Sequence, residues 1–435
     1  MSGHAGEVPP PTLPLRVGLP AWSEVAVESF GGPVAQIGVL HRVIVEERGW
    51  VSEERFQRAL SFCMLLPGPE AQQLATYLGW LLHGTKGALV AGSLFVLPGF
   101  IALLVLSLLY VYAGDTTVAV GVLAGIKPAV VAIVAHTLTR MARRALTDGT
   151  RVAIALGAFA AFFFLRLPFP LVLGVAAVLG VLRFARNGEE ARAPLPPVYW
   201  RAPVAAGLLC VGLWLLPLAA VGITLGWGHV VAQEGRFFAT SALVTFGGAY
   251  AVLTYVAQEA VQRYHWVTPS EMVAGLGLAE STPGPLIQVV QFVAFLGAFR
   301  APAPLSPLSA GVLASVLVTW VTFVPSYFFI LGLAPFVERL AHNRFLLGAL
   351  RGISAAVFGA MLNLALWFAL HTLFGEVREV ARGAVYLTIP YLGSIDWWVA
   401  TVALSSLVAV LWLKVKAVWL LGAAAALGVA REMLR

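Results

Sequence analysis

Apolar runs of about 20 residues recur along this chain, and runs of that length match the roughly 30 Å hydrocarbon core of a bilayer. They fall near 59–83, 86–113, 116–140, 152–165, 168–183, 202–225, 237–262, 272–297, 308–334, 345–373, 397–413 and 415–430, after a more polar stretch at 30–49. The pattern predicts an all-α, multi-pass integral membrane protein of about 13 helical segments. Only 11% of the residues are charged, where a soluble domain needs roughly 25% to cover its surface. Mean hydropathy is +0.87, and a soluble helical protein with an oversized core is disfavoured.

Of the 28 cationic residues 24 are Arg, gathered in short loops, so the net charge of +7 reads as a positive-inside topology and not as affinity for nucleic acid. Cys63 and Cys210 are the only cysteines, which excludes a disulfide framework or a cysteine metal site. Residues 1–23 carry five prolines and no apolar stretch, and read as a disordered tail, not a signal peptide. The segments 152–165 and 168–183 meet at Arg166-Leu167-Pro168, as a tight helical hairpin would. The segments 397–413 and 415–430 form a similar pair around Lys414 and Lys416. Residues 184–201, rich in Arg and Pro, read as the linker between a first half, 24–183, and a second, 202–435.

The two halves are related in sequence. Phe30-Gly31-Gly32 recurs as Phe246-Gly247-Gly248, Trp50-Val51 as Trp266-Val267, Pro67-Gly68-Pro69 as Pro283-Gly284-Pro285, and Gln72 as Gln288, all at one offset of 216. Further on the offset becomes 227, where Pro98-Gly99-Phe100 matches Pro325-Ser326-Tyr327 and Gly125-Ile126-Lys127 matches Gly352-Ile353-Ser354. The extra residues fit the Pro-rich stretch from Arg300 to Pro307. An odd number of segments between the copies predicts an inverted repeat, with the positive loops 140–151 and 183–201 on the cytoplasmic side. A fully spanning 30–49 would put Arg42, Arg48, Arg55 and Arg58 outside. Its polar content favours a partial or re-entrant helix.

The repeated motifs are helix breakers at membrane depth. Proline removes a backbone donor and glycine frees φ, so a continuous helix does not survive there. Pro33, Pro69 and Pro285 are expected to open new helices. A helix N-terminus presents free N–H groups and about half a positive charge, so four such ends are worth on the order of two charges. That would match a dianion, and irregular backbone at this depth persists where it lines a cavity or is buried in protein. The same glycines would also serve close helix packing. The candidate substrate-binding residues are therefore Gly31, Gly32, Pro33, Gly68, Pro69, Glu70, Gln72, Gly247, Gly248, Gly284, Pro285 and Gln288. Lys127, an ionisable residue inside an apolar segment, joins them as a counter-charge, with Ser354 as its repeat partner.

Three carboxylates, Glu70, Glu259 and Glu280, lie where raised pKa values would let them carry protons. Glu70 would alternatively complement its own helix terminus. Cys63 reads as a small packing residue. No zinc-protease signature is present, and the nearest P-loop look-alike, Gly79 to Lys86, ends Gly-Thr-Lys, so no metal, cofactor, ATPase or enzyme activity is expected. The small-residue pair Gly121/Gly125 is compatible with a homodimer and does not specify one.

Phe30-Gly-Gly-Pro33, Cys63-Met-Leu-Leu-Pro-Gly-Pro-Glu-Ala-Gln-Gln73 and Gly125-Ile-Lys-Pro-Ala-Val130 resemble the first half of the chromate ion transporter family. Phe246-Gly-Gly, Ala279-Glu-Ser-Thr-Pro-Gly-Pro285 and Asn363-Leu-Ala-Leu-Trp-Phe368 are similar to its second half, with a departure at Ala249 where the first copy has Pro33. The resemblance covers about residues 20 to 430 and is to the long, two-domain bacterial form. It implies a bacterial inner-membrane exporter of chromate that confers chromate resistance, with sulfate as a structural analogue. The residues alone support an oxyanion site; a sulfate carrier, an anion channel and a membrane-bound enzyme stay open at this point.

Overall fold

The computed structural model describes residues 13–185, 201–244, 249–333, 343–383 and 385–435. The first half runs α1 (Leu15–Glu28), α2 (Gly32–His41), a π-helical turn (Arg42–Glu47), α3 (Glu53–Cys63), α4 (Glu70–Ala113), α5 (Thr117–Ala145), α6 (Gly149–Phe163) and α7 (Phe169–Phe184). After α8 (Arg201–Thr224), the same order returns as α9 (Val230–Val244), α10 (Ala249–Ala257), a π-helical turn (Gln258–Arg263), α11 (Pro269–Ser281), a 3-10 turn (Leu286–Gln288) leading into α12 (Val289–Arg300), α13 (Pro307–Leu333) and α14 (Arg344–Leu373). A hairpin of β1 (Val377–Arg382) and β2 (Val385–Pro390) follows, then α15 (Trp397–Leu411) and α16 (Ala417–Met433). The chain is an all-α membrane protein with one small hairpin among the described residues. Among the described residues five helices, lying in α4, α5, α8, α13 and α14, are long and apolar enough to cross a bilayer.

The repeat extends to backbone detail. The two π turns are 216 residues apart, and Ser52 and Thr268, also 216 apart, cap α3 and α11 with their side chains. Near the chain's end the offset reaches 248. Asp148 and Asp396 cap α6 and α15, and Arg166 (φ 49°) and Lys414 (φ 53°) turn the two terminal hairpins. The step from 227 to 248 is the β-hairpin, an insertion in the second half. It docks on the turn of the first half's terminal hairpin, where Arg166 pairs with Glu379 at 2.6 Å and lies over the Tyr386 ring at 4.6 Å.

The helices pack in two layers. One holds α5, α6 and α7 with α14, α15 and α16; the other holds α4, α8, α9, α12 and α13, with α1–α3 wrapped around the start of α4. Short α10 and α11 lie between, against α14 and α5. Within the first layer the halves exchange their terminal hairpins. α16 lies along α5, and α7 with α6 lies along α14. Gly121 and Gly125 meet Gly428 and Ala424 in one seam; Gly348 and Gly352 meet Gly180 and Ala176 in the other. A Cβ on Gly121 would fall 2.6 Å from the Val429 Cα, so these backbones touch, as small-residue seams in membranes allow. The Gly121/Gly125 pair is thus used within the chain.

One boundary differs from expectation, and the short element expected at 30–49 is present. Residues 15–23, assigned to a disordered tail, belong to α1, which buries Ala21, Trp22, Val25 and Ala26. Pro14 stands at the N-cap position, where a missing N–H costs nothing, and Pro20 lies inside α1, which its buried face holds together despite the lost hydrogen bond. The polar stretch at 30–49 yields 10 α-helical and 6 π-helical residues, short of the ~20 needed to cross. Its charges are answered locally: Arg42 pairs with Glu24, Glu28 and Glu47, and His41 with Glu46 and Glu53. The expected linker, 184–201, lies almost wholly outside the described residues.

Candidate functional site

Both Pro-Gly-Pro motifs break their helices as expected. In the first, α3 ends at Cys63 and α4 starts at Glu70, with Gly68 at φ 107°. In the second, α11 ends at Ser281, Gly284 takes φ 95°, and the chain restarts through the 3-10 turn into α12. Positive φ at this position admits glycine and strains any other residue. At the third break Gly31 and Gly32 both turn left-handed, and Pro33 sits in the first turn of α2. Pro69 and Pro285 occupy the residue just before their helices, not the first turn. Gly247 and Gly248 lie outside the described residues.

The breaks of one half seat on the other. The peptide of Gly284 is clasped by the α1–α2 corner: its N–H donates to Ser29 O at 2.9 Å, and its carbonyl accepts from Gln36 Nε2 at 2.7 Å. From the other side Gly99 of α4 presses on it, so closely that a Cβ there would lie 2.6 Å from Pro283 O. Reciprocally, Ser326 of α13, the repeat partner of Gly99, faces Gly68. The two Pro-Gly-Pro breaks therefore lie on either side of the α4–α13 contact.

Polar side chains gather at both. At the first break Gln73 Nε2 donates to Pro67 O at 2.6 Å, the Tyr327 hydroxyl pairs with Ser93 Oγ at 2.9 Å, and Gln72 lies beside Tyr327. At the second, Gln288 Nε2 donates to Gln291 Oε1 at 2.6 Å and to Thr319 Oγ1 at 2.9 Å, and Gln291 Nε2 donates to Phe100 O at 3.1 Å. Gln72, Gln73, Gln288, Gln291 and Ser326 are at most 1% exposed, while Ser93 at the edge of the first cluster is exposed. Among the described residues Gln73 Oε1, Gln288 Oε1 and Ser326 Oγ have no hydrogen-bond partner. Buried polar atoms are normally paired, so these atoms, with the first-turn N–H groups of α4, are hydrogen-bonding capacity that a ligand could use. Gln36, Gln73, Ser93, Gln291, Thr319 and Tyr327 were not expected from sequence. The available signal was a polar residue within one or two turns of each breaker inside an otherwise apolar run.

Other expected residues lie apart. Lys127 Nζ donates to Ser270 Oγ at 2.6 Å, in the first turn of α11, at the opposite end of that helix from Gly284. Eleven residues at 1.5 Å each put about 16 Å between those ends. Beside it Glu271 is bonded by Arg300 and Tyr110. Burial pushes the Glu271 carboxyl up, but Arg300 and the Thr268 N–H outweigh it and hold it below its ordinary value. Ser354 is exposed on α14. Glu259 is ion-paired with Arg263 at 3.0 Å. Glu280, one turn before the second break, is buried, and Glu70 is half-buried at the start of α4 near Cys63.

A family profile described as "Chromate transporter" matches residues 19–181 and 233–429. The chain is 32% identical over 354 residues to a chromate transport protein of Pseudomonas aeruginosa, covering 79% of this chain and 77% of that protein. It is 29% identical over 357 residues to a chromate transport protein of Cupriavidus metallidurans, covering 81% and 82%. An uncharacterised transporter of Methanocaldococcus jannaschii is 24% identical over 356 residues, covering 80% and 82%. No solved structure matches the chain.

Proposed function

This chain belongs to the chromate transporter family, and on that premise we propose that it exports chromate from the cytoplasm across the bacterial inner membrane and so confers chromate resistance. The observation that carries the reading is the reciprocal seating of the two Pro-Gly-Pro breaks on the opposite half's long helix, Gly284 on Gly99 and Gly68 on Ser326. Reciprocal contacts are the mark of a two-fold relation, and we take its axis to lie in the membrane plane, as an inverted repeat. Chromate, a tetrahedral dianion, would be held between the breaks by helix-end N–H groups, the Ser326 hydroxyl and the flanking glutamines.

Moving one charge through 100 mV is worth about 2.3 kcal/mol, so a dianion gains roughly 4–5 kcal/mol on leaving a negative-inside cell. That is about a thousandfold concentration ratio from the potential alone. Export is then electrogenic, with Glu70, Glu259 and Glu280 tuning it without carrying obligatory protons. Sulfate, of the same shape and charge, would compete.

The test is chromate uptake into inverted vesicles, with excess sulfate as competitor. Uptake persists when ΔpH is collapsed and the membrane potential is held; complete loss on removing ΔpH would falsify the electrogenic mechanism. Non-saturating flux would mark a channel instead, and chromate recovered in altered form would mark an enzyme.

A further inference from the structure

Glu234 of α9 has no place in the substrate site above, yet it is fully buried, and among the described residues neither carboxylate oxygen has a hydrogen-bond partner. α9 is not among the helices long and apolar enough to cross the membrane. Facing the carboxyl is Gly297 of α12, where any side chain would collide with Oε1; the Trp266 indole packs on the same glycine. The backbone there is cut back to make room for an acid. A carboxylate alone in such surroundings is disfavoured against the neutral acid, and burial pushes Glu234 up.

Behind the same glycine lies an open pocket of about 680 Å³. Its wall includes Gln233, Trp266 and Gly297, which neighbour the carboxyl in sequence or space, and two imidazoles, His229 and His265. His229 is held in place: its Nδ1 accepts from the Val231 N–H at 3.2 Å, and its Nε2 faces Pro302 O at 3.4 Å. The first half offers a parallel. Gly18 stands 216 residues before Glu234, and the His83 ring fills the space beside it, its Nε2 buried without a partner among the described residues. Each half thus sets one proton-binding group at this point, an imidazole in the first and a carboxyl in the second.

We propose that Glu234 is a proton-binding site of the transporter, reached from the pocket of His229 and His265, and that its proton occupancy is linked to the transport cycle. The link rests on the proposed transport; the proton site does not. The titratable groups on the elements packed around it are Arg300 from α12, Tyr255 from α10, and Tyr264 and His265 ahead of α11. His229 and Arg236 come from its own stretch, Cys210 from α8 and Tyr327 from α13. Arg300 is engaged by Glu271, and none of these groups bonds either oxygen. On ionisation the carboxyl O–H bond breaks and the proton passes to water or an imidazole in the pocket. The charge left behind is tolerated only if α9 and α12 part enough to admit water. Proton release and a change in the α9–α12 contact therefore go together.

The test is infrared spectroscopy of the full-length protein in membranes, wild type against Glu234→Gln. Wild type shows, at neutral pH, a protonated-carboxyl C=O band that shifts down in heavy water, and Glu234→Gln lacks it. A wild-type-minus-variant difference spectrum without that band overturns the proton site, whatever band the buried Glu280 leaves in both. Should Glu234→Gln not fold, Glu234→Asp must move the band, and an unmoved band has the same force against the proposal. Vesicle uptake of chromate across pH tests the link: wild type bends and Glu234→Gln is flat over the same range, whereas coincident profiles overturn it. Wild type that carries no chromate would instead end the transport reading and leave the infrared result standing.

Discussion

Replacing Gly99 by Ala puts a methyl group where the second break sits. The added Cβ would lie 2.6 Å from Pro283 O, about 0.9 Å inside the roughly 3.5 Å at which non-bonded atoms rest. The other close atoms are the Gly284 Cα and the Pro283 carbonyl carbon, so the obstacle is backbone and cannot swing aside. Overpacking of this kind costs about 1–3 kcal/mol. Against it stands the gain of about 0.5–1 kcal/mol when Ala replaces Gly inside a helix. The net is about 0–2.5 kcal/mol, with a midpoint of about 1.2 that is roughly an eightfold shift away from the seated break. Gly99→Ala should therefore lower the thermal midpoint in detergent and cut vesicle uptake of chromate by up to about tenfold. Gly157→Ala in α6 is the control: nothing lies within 4 Å of its new methyl group, so only the helix gain applies. Ser326→Ala should be mild for thermal stability, because a Cβ already stands there, but should raise the half-saturating chromate concentration by removing the hydroxyl left unpartnered at the site. If Gly99→Ala behaves like Gly157→Ala, the break is not held by α4 and the site described above loses its support.

Gly125→Leu should open the α5–α16 seam, since a Cβ there already collides with Ala424 O; a loss of at least 1–3 kcal/mol in detergent is expected, and unchanged thermal stability would refute the seam. Lys127→Ala should raise the half-saturating chromate concentration severalfold while leaving folding intact, because a charge about one helix length from Gly284 attracts the anion without gripping it. Unchanged affinity would reduce Lys127 to a strut for Ser270. Burial pushes the Asp396 carboxyl up, but the Val399 and Trp398 N–H groups and Arg431 outweigh it and hold it below its ordinary value. A folded pKa below the unfolded one stabilises above the ordinary value of about 3.9 and is lost as pH falls through the folded value. Wild type should thus lose stability relative to Asp396→Asn only below about pH 4, and parallel acid-unfolding curves would contradict this.

The repeat and the helix breaks were legible because Gly and Pro act locally, through φ and a missing N–H, whatever surrounds them. The glutamines were harder. Gln36 and Gln291 matter through Gly284 and Phe100, 248 and 191 residues away in sequence, and spacing along one helix carries no trace of that. Lys127 drew attention for its charge in an apolar run, but its partner Ser270 is 143 residues distant. Glu234 lay just outside the apolar stretch at 237–262, so its burial, created by Gly297, left no local signal. α1 was hidden by its prolines. The β-hairpin could have been found: Val377 to Pro390 is rich in β-branched residues around Gly383 (φ 62°), a turn signal that a search for long helices passes over.

The exchanged terminal hairpins bear on how such a molecule moves. Because α16 is bound to α5 and α7 to α14, glycine against glycine, neither sequence half can swing as a rigid body without tearing its seam with the other. The natural mechanical parts are the two layers, each assembled from both halves, with α10, α11 and the Glu280 end of the second break along the join. A gate built this way opens by sliding composite frames past one another, and the chain's own duplication supplies matched rails on both sides.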